Sequence, residues 1–286
     1  MPKVAVITRT KDRPDFLKRA IRSVAAQTYS DYVHVIINDG GDNTKVQQIV
    51  DSVDEKVAAN IKLFHREKPS NGPDTIFNES IDRVPAEFFA LHDDDDTWHE
   101  GFLETTVSHM EKHTQHGAVV VRADKIIEKR LDGDIRQVKQ TGWMPEMKVI
   151  SFYRQCIDNQ LTPIATLFRN SAYVKVGKFD DSLPVVGDWE FGIRLLSKYD
   201  VGFINPGYAL AFYHHRDAAD NSFAVHDHRE YITLVLNKYL RHDIEHGQLG
   251  LGYIMNSLRY DQDMRSATLR RLVPKPVTKL MRRKTR

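Results

Sequence analysis

The first half of the chain alternates between short apolar segments and amphipathic segments, and this alternation limits the fold more than any other feature. Four apolar or β-branched runs indicate strands, at 4–10, 33–41, 61–66 and 87–91. Helical periodicity follows each of them, at 12–27, 44–57, 75–84 and 102–113. Strands that alternate with helices through short connections form a parallel sheet with crossover helices. The pattern therefore predicts an α/β fold, with a mostly parallel sheet and helices on both faces.

The second half of the chain is less regular. Residues 118–139 predict two antiparallel strands joined through Asp132-Gly133, a hairpin signal. Further segments predict a strand and short helix, a helix, a strand and a helical region, at 165–177, 187–199, 202–215 and 226–264. We therefore expect a main domain over 1–225 and a helical extension with a basic tail over 226–286.

Polar side chains end several of the predicted strands. They are Arg9, Asp39, Arg66 and the run Asp93 to Asp96. In open parallel sheets, ligands bind outside the carboxyl ends of the strands. We therefore expect these residues to lie along one edge of the sheet, at a ligand site.

Four consecutive aspartates follow the buried strand Phe88 to His92. Like charges repel, so such a run stays in solvent or pairs with a cation. If the segment is extended, Asp93 and Asp95 point one way and Asp94 and Asp96 the other. Two converging carboxylates suit a hard divalent cation. A solvated acidic turn is the alternative, but the buried strand before the run and Trp98 after it, which would anchor the turn, favour the cation site.

The cysteine content and the hydropathy of the chain limit the cellular compartments in which we expect it. The single cysteine, Cys156, excludes an internal disulfide and makes a weak case for zinc. The N-terminus enters a strand pattern without the features of a signal peptide. No apolar stretch approaches the roughly 18 residues of a membrane span. We therefore expect a soluble, cytoplasmic protein.

The net charge of +2 conceals an asymmetry. Residues 265–286 contain nine Lys or Arg and no acid, which leaves a charge of −7 on residues 1–264. The tail interleaves its cations with Leu, Val and Met, and Pro274 and Pro276 interrupt it. This composition predicts attachment to an anionic membrane surface; a disordered, solubilising tail is the alternative. Nucleic acid is not an expected partner, because the tail lacks aromatic residues for base stacking.

Taken together, the motifs resemble the family 2 glycosyltransferases, which have the GT-A (Rossmann-like) fold. The resemblance runs in order over residues 4–222, through VAVITRTKDRPDFLKRAIRSVAAQTYSDYVHVIINDGGDNT, NGPDTIFNESI, FALHDDDDTW, LFRNSAYVKVGKFDDSL, GDWEFGIRLL and FYHHRDAADNS. It implies an inverting, metal-dependent enzyme that moves a sugar from a nucleoside-diphosphate sugar, a UDP-sugar foremost, to an acceptor hydroxyl. A saccharide or lipid-linked acceptor, as in bacterial surface polysaccharide synthesis, would suit a cytoplasmic enzyme held peripherally on the inner face of the membrane.

The resemblance also implies roles for the residues that bind the donor. The family's D-x-D element falls on Asp93, Asp94 and Asp95, of which Asp95 would bind Mn²⁺ or Mg²⁺ and its two neighbours the donor. Asp39 would contact the nucleobase. The nucleoside pocket would be lined by Thr8, Arg9 and Arg13. Read singly, Asp39 is equally a turn residue, and Arg13 a surface charge at a helix start.

Asp188 would be the catalytic base, because the family places an aspartate at the start of a helix where GDWEFGIRLL matches. An acceptor hydroxyl needs a carboxylate within hydrogen-bond reach to take its proton, and a base opposite the leaving group implies inversion. The alternative is that Asp188 only caps the helix. His215, or else His214, would be a third metal ligand, although paired histidines are more often surface residues. Residues 216–223 would close over the donor as a lid.

Two residues depart from the family pattern. Gly187 replaces the Glu that usually precedes the base, and Phe77 stands where an Arg is common. A cationic contact to the donor would then come from Arg66 or Lys68. Two other functions stay open, a sugar-nucleotide pyrophosphorylase and a non-catalytic, membrane-tethered partner of another transferase. The first should carry a glycine-rich loop after its first strand, and TRTKDRPD has no glycine.

Overall fold

The computed structural model describes residues 1–131, 134–216 and 227–272, with side chains as far as residue 262. Within these residues, strands β1 to β11 span Val4–Thr10, Tyr32–Asp39, Ile61–Arg66, Phe88–Leu91, Thr97–Trp98, His116–Val121, Ala123–Leu131, Asp134–Gly142, Thr166–Arg169, Asp200–Ile204 and Ala211–His215. Helices α1 to α10 span Pro14–Ala25, Asn43–Asp51, Glu55–Ala58, Pro73–Arg83, Phe102–Lys112, Phe152–Gln155, Asn170–Val176, Gly187–Leu196, His228–Glu245 and Leu251–Leu272.

The main sheet formed by the described residues has seven strands, in the order β10-β6-β9-β4-β1-β2-β3. Strand β1 lies between β2 and β4 and is parallel to both, and β2 is parallel to β3. Strand β9 is antiparallel to both of its neighbours, β4 and β6. The prediction of a mostly parallel α/β sheet is confirmed.

Helices cover both faces of this sheet. On β2, Val35 and Ile37 belong to the large apolar core. Ile36, between them, packs instead in a smaller cluster with Leu17 and Ile21 of α1 and residues of α2. Neighbouring side chains of a strand point to opposite faces, so the two clusters lie on opposite sides of the sheet. The apolar runs identified in the sequence are long because both faces are buried.

A second sheet of the described residues has the order β5-β11-β7-β8. The short strand β5 directly follows the acidic run and pairs antiparallel with β11, which is parallel to β7. This sheet brings His214 and His215, at the end of β11, toward the four aspartates.

Three of the predicted elements differ from the structure. Residues 118–139 contain the end of β6 as well as β7 and β8, and only the last two form an antiparallel ladder. The proposed turn at residues 132–133 lies outside the described residues. The helix predicted at 44–57 is two helices, α2 and α3, and the strand predicted at 202–215 is two strands, β10 and β11. The breaks at residue 122 and at residues 52–54 are too short to interrupt the hydropathy pattern, whereas residues 205–210 contain Pro206-Gly207, a turn signal that the prediction overlooked.

The C-terminal helices α9 and α10 belong largely to a second compact unit, which begins at Arg229. The Asp243 carboxylate accepts hydrogen bonds from the backbone N–H groups of Gly250 (3.0 Å) and Tyr253 (2.8 Å), which satisfies donors at the start of α10. Across the part of the chain that the structure describes, no helix has the length and apolar character to cross a membrane. Residues 217–226, which contain most of the proposed lid, and 273–286, most of the basic tail, lie outside it.

Candidate active site

The acidic run forms a turn between β4 and β5. The backbone N–H of Asp96 donates to the carbonyl oxygen of Asp93 (3.1 Å). After the turn, the buried Trp98 stacks on Phe102 with ring centroids 4.1 Å apart, and its indole N–H donates to the Ile164 carbonyl (2.6 Å). Trp98 therefore anchors the turn, as the sequence suggests.

The side chains of the run do not alternate. Arg13 contacts both Asp94 (2.9 Å) and Asp95 (2.5 Å), so these neighbouring carboxylates face the same guanidinium. Thr10 donates a second hydrogen bond to Asp94 (2.9 Å). The expectation that Asp94 and Asp95 point in opposite directions is wrong, because it assumes an extended backbone and the run is a turn.

Asp95 is the carboxylate of the run that two cations hold. Arg216 contacts the same oxygen of Asp95 as Arg13 does. Burial would raise the pKa of Asp95, but the charges and hydrogen bonds of Arg13 and Arg216 hold it below its ordinary value. For Asp93 and Asp94, burial has a larger effect than the nearby cations. It raises the pKa of Asp93 to about 6 and that of Asp94 to about 7. Of Asp93, Asp94 and Asp95, it is Asp95 that most readily keeps its negative charge.

Glu128 of β7 links the acidic run to the histidines, and sequence reasoning missed it. Its carboxylate contacts Arg19 (2.6 Å), Arg216 (2.9 Å) and His214 Nδ1 (2.8 Å). Burial would raise the pKa of Glu128, but the hydrogen bonds and charges of His214 and Arg19 outweigh it and lower the pKa to about 2. In the sequence, Glu128 is one charge among several in KIIEKR, and nothing in that local pattern separates it from a surface residue.

His214 is part of this network through both nitrogens of its ring. Nδ1 donates to Glu128, and Nε2 lies 2.8 Å from the Thr97 hydroxyl. Its backbone N–H donates to Asp96 (2.7 Å). His215 follows on β11, so its side chain lies on the opposite face of that strand, where its ring is 6.4 Å from the ring of Tyr213.

Asp39 is the centre of a second polar group at the carboxyl edge of the main sheet. Its two oxygens accept hydrogen bonds from the backbone N–H and the hydroxyl of Ser70, both at 2.8 Å. Arg66 and Arg9 lie 3.4 and 3.9 Å from the same carboxylate. The structure therefore brings Arg9, Asp39 and Arg66 together. Ser70, which sequence reasoning missed, follows the third strand in a Gly/Pro-rich turn.

Thr8 is placed differently from the other candidate donor-binding residues. Its side chain is fully buried, and its hydroxyl lies 2.9 Å from Nε2 of His34. Burial and the nearby His92 lower the pKa of His34 to about 3, so its ring is neutral. A contact from Thr8 to a ligand would therefore have to come from its backbone.

Asp188 is the second residue of α8. Asn159 donates to one carboxylate oxygen (2.8 Å) and the backbone N–H of Trp189 to the other (2.9 Å). Burial raises the pKa of Asp188, against the effect of these hydrogen bonds. The N-cap position belongs to Val186, whose φ of 61° is strained for a β-branched residue. Asp188 therefore does not have the N-cap position that the capping alternative assigns to it.

Asp74 of α4 is a further acid at this place, and sequence reasoning missed it. Its carboxylate lies against the backbone of Gly187. Burial first, and then the charges of Asp188, Glu190 and Asp180, raise the pKa of Asp74 to about 8. Its only sequence signal is the Asp after Pro in NGPDTIFN, which is also an ordinary helix start.

The carboxylate oxygens around Asp95 are suitable ligands for a hard cation, but these side chains are arranged as a network of ion pairs. Carboxylate oxygens of Asp93 and Asp95 are ligands that Mg²⁺ and Mn²⁺ accept. In the part of the chain that the structure describes, however, no three His, Cys, Asp or Glu side chains are arranged to hold a metal ion. Arg13 and Arg216 occupy the Asp95 carboxylate, so a divalent cation would have to displace at least one guanidinium.

Comparison with known proteins places these features in one family. The family model described as glycosyl transferase family 2 matches residues 5–177. A glycosyltransferase of Campylobacter jejuni, the GalNAc(5)-diNAcBac-PP-undecaprenol beta-1,3-glucosyltransferase, is 27% identical over 135 residues, which are 46% of this chain and 43% of the relative. The chain spans only 38% to 43% of the length of the first three curated relatives it matches.

Two solved structures of proteins that bind nucleotide sugars have the same fold. Staphylococcus aureus TarS 1-349 in complex with UDP-GlcNAc superposes with a TM-score of 0.63 at 18% identity, over 83% of this chain and 66% of the other. The mannosyltransferase PcManGT from Pyrobaculum calidifontis, in complex with GDP-Man and Mn²⁺, superposes with a TM-score of 0.60 at 12% identity, over 99% and 79%. The chain belongs to glycosyl transferase family 2 and has the GT-A fold, as its motifs predict.

Proposed function

We propose that this chain is a glycosyltransferase, which moves a sugar from a nucleoside-diphosphate donor to an acceptor hydroxyl in a single displacement with inversion. The observation that carries the proposal is that two kinds of polar group lie near one another. Arg9, Arg13 and Arg66 lie beside buried acids at the ends of the strands. Asp188, at the start of a helix, is close enough to the acidic run for its charge to raise the pKa of Asp93. The first group suits an anionic donor, and the second suits proton removal from an acceptor.

The nucleotide would bind along the carboxyl edge of the main sheet. Asp39, with Arg9 and Arg66 beside it, would contact the nucleobase and ribose, and Arg13 and Asp94 the remainder of the donor. Guanidinium groups bind phosphate oxygens through paired N–H donors. The solved neighbours bind UDP-GlcNAc and GDP-Man, which supports a nucleotide-sugar donor, and we take a UDP-sugar as the first to test.

Asp95 would hold Mn²⁺ or Mg²⁺, with a histidine of β11 as a further ligand, and Asp93 would face the donor. Such a cation stabilises the negative charge that develops on a diphosphate leaving group. His215 suits this role better than His214, because Glu128 and Thr97 already occupy both ring nitrogens of His214. When Asp95 binds the cation, Arg216 can stay paired with Glu128.

Asp188 would take the proton from the acceptor hydroxyl. Asn159 and the Trp189 N–H hold its carboxylate in one orientation, and burial makes it a stronger base than an exposed aspartate. A carboxylate that acts as a base, rather than as a nucleophile, leads to inversion in one step.

A saccharide or a lipid-linked acceptor on the cytoplasmic side of a bacterial membrane fits this function. The Campylobacter relative includes PP-undecaprenol in its name. The nine cations of residues 265–286 would contribute on the order of 1 kcal/mol each near an anionic surface. Binding to vesicles rich in anionic lipid should therefore disappear when residues 265–286 are deleted, and undiminished binding would refute this part of the proposal.

The variant Asp188→Asn tests the mechanism. A panel of nucleotide sugars first identifies the donor by thermal stabilisation and by hydrolysis in the presence of Mn²⁺. Asp188→Asn should then lose transfer by about 10²- to 10⁴-fold while nucleotide binding is retained. Asp181→Asn, at an exposed aspartate on the loop before α8, is the matched control and should keep its activity. Normal transfer by a folded Asp188→Asn variant would overturn the proposed role.

A further inference from the structure

The helix that carries Asp188 starts against a second carboxyl group. A Cβ atom added to Gly187 would lie 1.5, 2.7 and 3.3 Å from Oδ2, Cγ and Oδ1 of Asp74. All three of these atoms belong to the carboxyl group of Asp74. Gly187 does not have a positive φ, so its backbone conformation does not require glycine. What excludes a side chain at position 187 is the carboxyl group of Asp74, which lies beside the residue next to Asp188.

Helix α4, which carries Asp74, is fixed to the segment that leads into Asp188. Asn78, one turn after Asp74, donates to the Phe179 carbonyl (2.9 Å) and accepts from the Phe179 N–H (3.1 Å) and the Tyr173 hydroxyl (2.8 Å). At the start of α4, Gly72 packs against Pro184, where an added Cβ would lie 3.0 Å from the Pro184 Cα. The position of Asp74 relative to Asp188 is therefore built into the packing.

The groups that face Asp74 are mostly acidic. Asp188 and Glu190 lie on α8, and Asp180 lies on the loop before it; Arg194, also on α8, is the counter-charge. That cation is already bound to Glu190 through two hydrogen bonds from Nε (3.1 and 2.8 Å) and to the carbonyls of α7 and the following loop. The Asp74 side chain is buried, at 2% exposure.

We propose that Asp74 is a positioning residue for this glycosyltransferase: its carboxyl group, held against Gly187, sets the surroundings and the basicity of Asp188. The inference rests on the proposed role of Asp188 as the base. It also accounts for the glycine at position 187, where an added Cβ atom would meet the carboxyl group of Asp74.

The total charge of Asp74 and Asp188 should therefore differ below and above about pH 8. At neutral pH Asp74 keeps its proton, since burial and the neighbouring acids raise its pKa to about 8, and the pair carries at most one negative charge. Above that pH the two carboxylates would both be charged in a buried place, and like charges at short range disfavour this state. The start of α8 should then separate from α4, and the base should lose its orientation.

The pH profile of sugar transfer tests the inference. Wild-type kcat/KM should fall above about pH 8, with a slope that approaches tenfold per pH unit. Asp74→Asn, which has nearly the same shape and cannot ionise, should keep its activity at neutral pH and lose this alkaline decline. Asp181→Asn should retain the wild-type profile. An alkaline decline in Asp74→Asn identical to that of the wild type would overturn the proposal.

A paired substitution tests the contact independently of catalysis. Gly187→Ala should lower the midpoint of thermal unfolding, because the new methyl group meets the Asp74 carboxyl. Removing that carboxyl opens the space, so Asp74→Ala with Gly187→Ala should be more stable than Gly187→Ala alone. Equal midpoints for the single and double variants would also overturn the proposal. Normal transfer by Asp188→Asn would instead show that the proposed base is wrong, whatever the result at Asp74.

Discussion

Replacing Asp74 with Asn should stabilise the folded protein at neutral pH, whatever reaction the enzyme performs. The unfolded chain releases the Asp74 proton near 3.8, whereas the folded chain keeps it until about pH 8. Between these values the folded state binds more protons than the unfolded state, so stability falls as pH rises. Above the folded-state pKa the two states bind equally and the loss levels off. An asparagine side chain does not ionise in this pH range, so Asp74→Asn avoids this loss of stability at every pH.

The size of this stabilisation follows from the interval between the pH of the experiment and the ordinary pKa of Asp74. Each pH unit between the two pKa values changes the free energy of unfolding by about 1.4 kcal/mol. At pH 7, the interval above the ordinary value of 3.8 corresponds to about 4 kcal/mol. This is an upper bound, because a buried amide also needs hydrogen-bond partners. At about pH 5 the same reasoning leaves only about 2 kcal/mol.

Urea unfolding followed by tryptophan fluorescence at about pH 5, 7 and 9 measures the difference. Asp74→Asn should gain stability over the wild type between pH 5 and pH 7, and about half as much again between pH 7 and pH 9, where the gain levels off. Asp181→Asn, at an exposed aspartate, should show no such trend. The reasoning is refuted if the difference between Asp74→Asn and the wild type is the same at pH 5 and pH 7, since the pKa of Asp74 would then be ordinary.

Two further predictions concern the network around the acidic run. Glu128→Gln should lower the free energy of unfolding at pH 7 by on the order of 3 kcal/mol, because its carboxylate, with a pKa of about 2, binds two arginines and a histidine. This stability is present above the unfolded pKa of 4.5 and is lost as pH falls through about 2, so acid titration by circular dichroism should show the two proteins converging; a constant difference would contradict the assignment. Asp95→Asn should abolish Mn²⁺ binding measured by titration calorimetry with the nucleotide present, whereas Asp181→Asn should bind normally. Unchanged Mn²⁺ affinity in Asp95→Asn would show that the cation binds elsewhere.

Local patterns in the chain were enough to predict the fold and the edge of the sheet where the polar residues lie. The strands β1, β2 and β4 are buried on both faces, so their apolar runs are continuous and stand out from the amphipathic helices between them. A residue that ends a parallel strand is necessarily at the carboxyl edge. Arg9, Asp39, Arg66 and the four aspartates could therefore be assigned to that edge from their positions alone.

Contacts between distant segments could not be predicted in this way. The direction of each aspartate depends on a turn whose geometry is set by Trp98 and β5, and its partners come from α1 and from the end of β11. Glu128 and Asp74 look like ordinary surface and helix-start residues in the sequence. They become part of the site only because β7 pairs with β11 and α4 packs against the loop before α8.

Gly187 shows the difference most clearly. Compared with the family pattern, the sequence lacks an acid at this position, because a local pattern records only which side chain each position has. In the folded protein Asp74 fills that space from another helix. Strand and helix order follow from the periodicity of neighbouring residues, whereas the placement of two carboxyl groups side by side follows from the packing of segments far apart in the chain.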